Sequence, residues 1–322
     1  MLNRRAFVAG LPLAVVAAPR VLRAAEPVTF WGPPAAPSII IAQAIADGLL
    51  KPIVPEVTFK VWKTPDEMRA GLSSGTMAAT VVPTYVAANL YNRGLGLRLL
   101  NVLTDGLLFV VASKGTISGL ADLKGKRVAV PFRNDMPDYI FRRLLASAGL
   151  STADLTIDYS GTPPEAVQML MFGRVDAALL SEPASSAVIA RASIIWRNLE
   201  RVIDCQKEWV AVSGRSTIPQ AGLAITDKFA AMIGESGVVT LQAALEQALT
   251  SVIANPAAAA STAAGALEVP SSMIEKSIPQ SRLVVRKASA AREDLTSLFE
   301  ILAKEDPRII GGKLPDERFY AL

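Results

Sequence analysis

The sequence predicts an α/β protein of two similar lobes, each built on a central, mostly parallel sheet flanked by helices. Three observations carry this expectation. Short apolar runs alternate with helical segments, a whole helix-strand unit recurs about one hundred residues further on, and the strands are apolar without alternation, as in sheets covered on both faces. With 322 residues the chain exceeds the usual size of one hydrophobic core, and 51% hydrophobic against 19% charged residues is a composition that folds.

Residues 28–31 open a strand, 39–50 read as a helix and 57–62 as a second strand. Thr64-Pro65-Asp66-Glu67 is a helix start: Thr64 caps, Pro65 needs no donor, and Glu67 completes a capping box. Met68 and Leu72 share one face, Gly75 ends the helix, and 78–82 form a strand that stops at Pro83. Thr162-Pro163-Pro164-Glu165 repeats this start, Gly173 follows Thr162 by eleven residues as Gly75 follows Thr64, and a strand again runs to a proline, Pro183. Two similar lobes would produce this recurrence, and so would the habitual reuse of such caps in αβ units. Between the units lie a strand at 107–112, a turn at 121–126, a strand at 127–130 and a helix at 139–148 capped from Asp135-Met136-Pro137-Asp138. After a further strand at 221–225 the chain becomes mainly helical. Leu241, Ala244, Leu245, Ala248, Leu249 and Val252 trace one helical face, and Leu295, Leu298, Phe299 and Leu302 another. The alanine-rich run at 257–266 reads as a surface helical region, and 313–322 as irregular chain lying against the first lobe.

The N-terminus reads as an export signal. Arg4 and Arg5 precede Phe7, an apolar stretch at 8–18 and Ala24-Ala25, so residues 1–25 fit a signal, with the paired arginines favouring the twin-arginine route although Asn3 stands where serine is usual. The eleven apolar residues are too few to span a bilayer, and no cysteine follows them to take a lipid. Removing Arg4, Arg5, Arg20 and Arg23 from 33 basic residues leaves 29 against 29 acidic ones, so the remaining chain is formally neutral. Its basic pI therefore says nothing of nucleic acid, and no basic run with interleaved aromatics is present. The absence of histidine excludes histidine triads, histidine metal sites and histidine general bases, and no cofactor or metal is expected. Cys205, the only cysteine, rules out an internal disulfide; Arg201-Val202-Ile203-Asp204-Cys205 reads as a strand carrying a buried structural thiol.

The stretches Ala121-Asp122-Leu123-Lys124-Gly125-Lys126-Arg127-Val128-Ala129-Val130-Pro131 and Gly173-Arg174-Val175-Asp176-Ala177-Ala178 with Glu182-Pro183 are distinctive together. So is the ending Ile310-Gly311-Gly312-Lys313-Leu314-Pro315 with Phe319-Tyr320. On these residues the chain resembles the periplasmic substrate-binding proteins of ABC importers, in the SsuA-like group that takes up sulfonates, nitrate and thiamine-precursor pyrimidines. The resemblance implies a type II periplasmic binding-protein fold, lobe one at 27–110 plus 214–322, lobe two at 111–213, and crossings near 105–111 and 212–223. It implies a soluble periplasmic protein, expected to be monomeric, that closes on a small solute and hands it to an inner-membrane permease. A ligand-sensing protein that signals to a membrane receptor would look the same. Relatives that make the thiamine pyrimidine rely on histidine, which this chain lacks, so an enzyme is not expected.

Ligands of open α/β sheets sit where strand ends, loops and helix N-termini converge. That rule nominates 32–38, 83–85, 105–106, 132–136 and 181–183. Within and beside them the candidates are Trp31, Gly32, Pro34, Ser38, Pro83, Thr84, Tyr85, Asp105, Phe132, Arg133, Asn134, Met136 and Glu182. Ser38 either caps the first helix or touches ligand; Tyr85 either stacks on a flat ligand or packs under a helix, and Trp31 is either contact or core. Arg133 suits a bidentate grip on a sulfonate, carboxylate or nitrate, with a salt bridge to Asp135 or Asp138 as the competing role. Glu182 points the other way, toward a ligand amine or ring N–H, unless a partner such as Arg133 neutralises it. Asp176 reads as a structural hydrogen bonder. The apolar loop Gly32-Pro33-Pro34-Ala35-Ala36-Pro37 offers few donors, which favours a larger organic ligand, aromatic or carboxylated, over a bare small anion.

Overall fold

The computed structural model describes residues 27–322; the expected export signal lies outside them. The chain begins with β1 (Val28–Gly32), α1 (Pro37–Ala46), β2 (Val57–Val61), α2 (Pro65–Ser74), β3 (Ala79–Pro83), α3 (Thr84–Asn92) and β4 (Leu97–Thr104). It then crosses to β5 (Leu108–Ser113), β6 (Arg127–Pro131), α4 (Met136–Ser147), β7 (Thr156–Ser160), α5 (Pro163–Met171), β8 (Ala177–Ser181), α6 (Ala184–Ile194), β9 (Leu199–Asp204) and α7 (Cys205–Ser213). It returns through β10 (Ala221–Thr226), α8 (Asp227–Ala254), α9 (Pro256–Leu267), α10 (Ser271–Ser277), β11 (Leu283–Lys287) and α11 (Arg292–Glu305).

Two sheets result, in the orders β11-β4-β10-β3-β1-β2 and β7-β6-β8-β5-β9. The trios β2-β1-β3 and β7-β6-β8 are parallel and share one topology, so the recurring unit in the sequence corresponds to α2-β3 in one lobe and α5-β8 in the other. Both copies start alike. Thr64 Oγ1 accepts from the Glu67 N–H at 3.2 Å and Thr162 Oγ1 from the Glu165 N–H at 3.4 Å. Each glutamate reaches back to the N–H of the residue before the cap, Lys63 and Gly161, at 2.7 Å.

The sheets are mixed rather than mostly parallel, which corrects the sequence expectation. β10 runs antiparallel to β3 and β4, β11 to β4, and β5 to both β8 and β9. Unalternating apolar strands report burial on two faces, and that burial exists in either direction of the strand. β5 is the example: Leu108, Val110 and Ala112 enter one apolar cluster, while Phe109 and Val111 enter another under α5 and α6. β5 and β10 are the strands by which the chain enters each sheet from the opposite lobe, and each runs against both of its neighbours.

α1, α8 and α9 cover one face of the six-stranded sheet, with Ile39, Ile40, Leu241, Leu245 and Ala263 fully buried. The run at 257–266 is thus half core rather than purely surface, since Ala259, Ala260 and Ala263 are buried. α8 is long and apolar enough to cross a membrane, but it is broken at Gly234 and its apolar face packs on the sheet. The opposite face belongs to a cluster that continues into the second lobe, joining Val82 and Val102 to Val110, Val130 and Leu144. The C-terminal segment lies against the first sheet as expected, with Tyr320 bridging to Leu99 and Phe319 buried. Cys205 is buried but begins α7 instead of ending a strand, because Asp204 caps that helix by accepting from the Gln206 N–H at 3.1 Å. Burial pushes its thiol far up from the ordinary range.

Two of the three stretches that carry the family resemblance are joined here. The Asp176 N–H donates to the Arg127 carbonyl at 2.9 Å, and Asp176 Oδ2 accepts from the Arg127 N–H at 2.8 Å. This aligns the starts of neighbouring strands β6 and β8, the structural role expected of Asp176.

Candidate functional site

The carboxyl ends of the parallel trios face each other, so the strand-to-helix loops of the two lobes meet. The Ala36 N–H, just before α1, donates to the Glu182 carbonyl, just after β8, at 3.2 Å. Arg69 on α2 reaches Asp135 at the start of α4 at 2.8 Å and also donates to the Tyr85 hydroxyl at 2.9 Å. Tyr85 and Tyr139 pack edge to face with centroids 5.6 Å apart. Further along, Arg142 on α4 pairs with Glu305 on α11 at 2.6 Å, and Arg282 before β11 pairs with Asp204. Backbone, charged and aromatic contacts thus hold the lobes together on several sides of one junction.

In lobe one, Gly32 ends β1 where a side chain has no room: a Cβ would lie 2.3 Å from Ser38 Oγ. Ser38 does not cap α1, contrary to one of its two expected roles. It lies inside the first turn, fully buried, and donates to the Pro33 carbonyl at 2.7 Å, which fixes the proline-rich turn. Pro34 is exposed on that turn. Trp31 is half-buried with Lys60 Nζ 5.7 Å from its ring centroid, and its buried indole N–H has no partner among the described residues. Pro83 precedes α3. Thr84 is fully buried and serves the returning crossing, with its N–H on the Gln220 carbonyl and its hydroxyl on the Pro219 carbonyl at 2.6 Å. Tyr85 is buried, and burial raises its hydroxyl pKa well above the ordinary value.

In lobe two the β6–α4 loop is strained. Phe132 and Asn134 both have left-handed backbone, φ 60° and 58°, with the exposed Arg133 between them. Asparagine tolerates this region; phenylalanine rarely does, and such outliers concentrate at working sites. The turn is held by the Phe132 N–H on the Ser160 carbonyl, the Asp135 N–H on the Phe132 carbonyl, and the Asn134 N–H on Asp138 at 2.8 Å. Arg133 takes neither carboxylate considered for it. Asp135 binds Arg69 and caps the Met136 N–H, Asp138 faces Arg142 and the Tyr159 hydroxyl, and the Arg133 guanidinium lies over the Tyr159 ring at 5.1 Å. Met136 is buried in the shared core.

Glu182 is fully buried beside a cis bond to Pro183, and its partner is Arg201 rather than Arg133. Arg201 grips it through Nε at 2.9 Å and Nη2 at 2.5 Å, and the Ser186 N–H adds a third bond. Burial raises the Glu182 pKa, opposed by Arg201 and Ser186. This carboxylate is paired inside lobe two, with Arg201 rather than a ligand amine as its counter-charge. Asp105, in the first crossing, is likewise engaged: Arg286 binds it at 2.6 Å while burial raises its pKa. Arg286 continues to Asp294, which also binds Arg215, so both crossings are tied to α11.

Arg69, Arg201, Arg282 and Arg286 were not nominated from the sequence. Each lies within a helix, along a strand or beside one rather than in a β–α loop, and each finds its carboxylate through tertiary structure. Two surface hollows of about 230 and 330 Å³ open at the far ends of the lobes, beside Gly173 and Arg197 and beside Pro27 and Lys51. None of the nominated residues lines either, and the junction rather than a hollow is where strand ends, helix starts and strained backbone coincide.

A family profile described as ABC transporter, phosphonate, periplasmic substrate-binding protein matches residues 42–232, more than half of the chain. The chain belongs to this family. It is the extracytoplasmic solute-binding component of an ABC importer, a periplasmic binding protein that delivers its ligand to a membrane permease. Solved structures agree on the two-lobed fold. An ABC transporter protein from Parabacteroides distasonis is 23% identical over 92% of this chain and 99% of its own, with a TM-score of 0.74. The aliphatic sulphonate-binding protein SsuA of Escherichia coli is 17% identical over 92% of both chains, TM-score 0.71. The alkanesulfonate-binding SsuA of Xanthomonas axonopodis pv. citri, solved with MOPS bound, is 18% identical over 92% of this chain and 98% of its own, TM-score 0.68. No curated protein matches the sequence.

Proposed function

We propose that this binding protein captures a small organic oxyanion, a phosphonate, sulfonate or carboxylate, between lobe one (27–110 plus 214–322) and lobe two (111–213). The observation that carries the reading is Arg133. It is exposed on a strained turn at the carboxyl end of β6, and its guanidinium rests on an aromatic ring rather than in an ion pair. A guanidinium in that state keeps its bidentate face for an incoming oxyanion. Phe132, Asn134 and the apolar turn at Pro34 would shape the rest of the site and suit an organic substituent better than bare nitrate.

The mechanism is conformational. An open form admits the solute, and contacts from both lobes favour closure, with Arg69–Asp135 and Ala36–Glu182 joining as the loops meet. The closed surface is what the permease reads. The protein would be exported by its N-terminal 25 residues and act as a monomer.

Native mass spectrometry of gently purified protein identifies the retained solute, and calorimetry against phosphonates, sulfonates, carboxylates, nitrate and neutral heteroaromatics ranks them. Arg133→Ala is expected to weaken the best anion by about 10- to 100-fold, the value of a charge-assisted contact. Unchanged affinity for every anion, or a neutral heteroaromatic as the retained solute, would remove the oxyanion reading.

A further inference from the structure

Most exposed large apolar side chains among the described residues are scattered, but four gather at one end of the five-stranded lobe. Phe172, just past the end of α5, is 75% exposed, and Ile194, Ile195 and Trp196 at the end of α6 are 77%, 54% and 96% exposed. The two helix ends are stitched together, because Arg197 donates to the Leu170 and Met171 carbonyls. Trp196 is held outward by left-handed backbone, φ 58°, an uncommon conformation for an aromatic residue. The cluster lies where α5 and α6 lead into the starts of β8 and β9, at the far end of the lobe from the solute junction.

Cations surround the cluster. Arg174 and Arg191 flank it in sequence and are exposed, and Lys114 is brought alongside by the bond from its N–H to the Asn198 carbonyl at 2.8 Å. The hollow of about 230 Å³ next to it places Lys126 with Arg197 and Gly173, and with one carboxylate, Asp176, whose Oδ2 accepts from the Arg127 N–H. Arg174, Arg191, Lys114 and Lys126 form no ion pairs among the described residues, whereas nearby Lys124 and Arg127 do. A chain that is formally neutral after its first 25 residues therefore carries a local surface that is apolar at its centre and cationic at its rim.

We propose that this end of lobe two docks on an anionic phospholipid surface. Tryptophan, phenylalanine and isoleucine are the residues that settle among headgroups, and lysine and arginine around them meet lipid phosphates. Such docking holds the loaded protein at the leaflet from which a permease collects it, and it is independent of which solute the junction holds.

Tryptophan fluorescence tests this at the residue. Of the four tryptophans, Trp62 and Trp209 are buried and Trp31 is half-buried, so Trp196 dominates quenching by acrylamide. With the full chain, vesicles containing phosphatidylglycerol are expected to shift emission to the blue, shield Trp196 from quencher and carry protein into the pellet, with less effect at high salt. Pure phosphatidylcholine vesicles are expected to do much less. The double variant Arg174→Gln, Arg191→Gln should bind the anionic vesicles roughly 30-fold more weakly, as expected for two surface cations. Trp196→Ser with Phe172→Ser should abolish the pelleting that distinguishes the two lipids, with thermal unfolding unchanged. Equal pelleting of parent and variants, or no change in Trp196 quenching at low salt, overturns the proposal. A concentration-dependent dimer in sedimentation that Trp196→Ser abolishes, without vesicle binding, also overturns it and makes the surface a contact between copies.

Discussion

Replacing Arg69 with methionine tests whether the junction closes through its charged contact. Methionine keeps much of the stem that packs beside Tyr85 and removes the guanidinium that binds Asp135 at 2.8 Å. The Asp135 side chain is 6% exposed and that of Arg69 35% exposed, so the pair lies between the two ordinary limits. Breaking a buried pair costs about 3–5 kcal/mol and an exposed one about 0.2–1 kcal/mol. With one partner a third in water, about 1–3 kcal/mol is expected. The contact spans the lobes and exists only when they meet, so that cost falls on closure and weakens solute binding about 5- to 150-fold. Asp135→Asn supplies the second arm, because an asparagine oxygen still accepts from the Met136 N–H and preserves the start of α4. The double variant should lose less than the sum of the singles, since no charge is left uncompensated. The assay is calorimetry with the co-purifying solute, paired with spin-label distances between the lobes. Unaltered affinity and lobe spacing in Arg69→Met, or strictly additive losses in the cycle, would show that the pair plays no part in closing.

Two further perturbations address the crossings. Asp294 is partly buried, which pushes its pKa up, but Arg286 and Arg215 outweigh burial and hold it below its ordinary value. Its contribution to stability is present above the unfolded value and is lost as pH falls through the folded one, so Asp294→Asn should flatten the acid limb of urea-unfolding stability below the normal aspartate range. Asp105, whose pKa is raised, contributes with the opposite sign just above that range, and an acid limb identical in parent and Asp294→Asn would contradict the assignment. Gly106 has φ 133°, and a Cβ there would lie 1.9 Å from Gln206 Oε1, which is itself bound to the Ile218 N–H. Gly106→Ala should cost about 1–3 kcal/mol in strain alone, measured by urea unfolding, and a loss within error of zero would mean that the crossing yields freely.

The fold was legible wherever local chemistry set it. Thr64 and Thr162 announced their helices because a cap, a first-turn proline and an acid at the third helical position act within four residues. The repeat they belong to is a real duplication of topology. Strand direction was not legible, because β5 is apolar on both faces whether it runs with its neighbours or against them. Strand β4 escaped notice for a related reason: it is buried from Leu99 to Thr104 with Asn101 in its middle, and that polar residue is satisfied by Gln242 and the Leu223 N–H from remote parts of the chain. The same limit applied at the site. The rule that strand ends bind ligands found the loops that meet, but Thr84 and Glu182 are occupied by partners that sequence separation hides, the Pro219 carbonyl and Arg201, and Ser38 by the carbonyl of Pro33 in its own turn.

Those hidden partners change what the junction can select. Arg69, Arg201, Arg282 and Arg286 each meet a carboxylate, so most of the positive charge near the loops is already balanced within the protein. On the proposed reading a solute would not meet a broadly cationic cleft, in which any anion would bind. It would meet a nearly neutral, partly apolar junction with the Arg133 guanidinium stacked on Tyr159. Pairs buried in this way hold geometry well and add little net attraction, because desolvation offsets their Coulomb energy. On the proposed reading, closure would fall to the interlobe pair Arg69–Asp135 and charge selection to Arg133. If that division holds, Arg69→Met lowers affinity for all solutes by a common factor, whereas Arg133→Ala changes their rank order, and calorimetry on both variants with one panel of solutes separates the two roles.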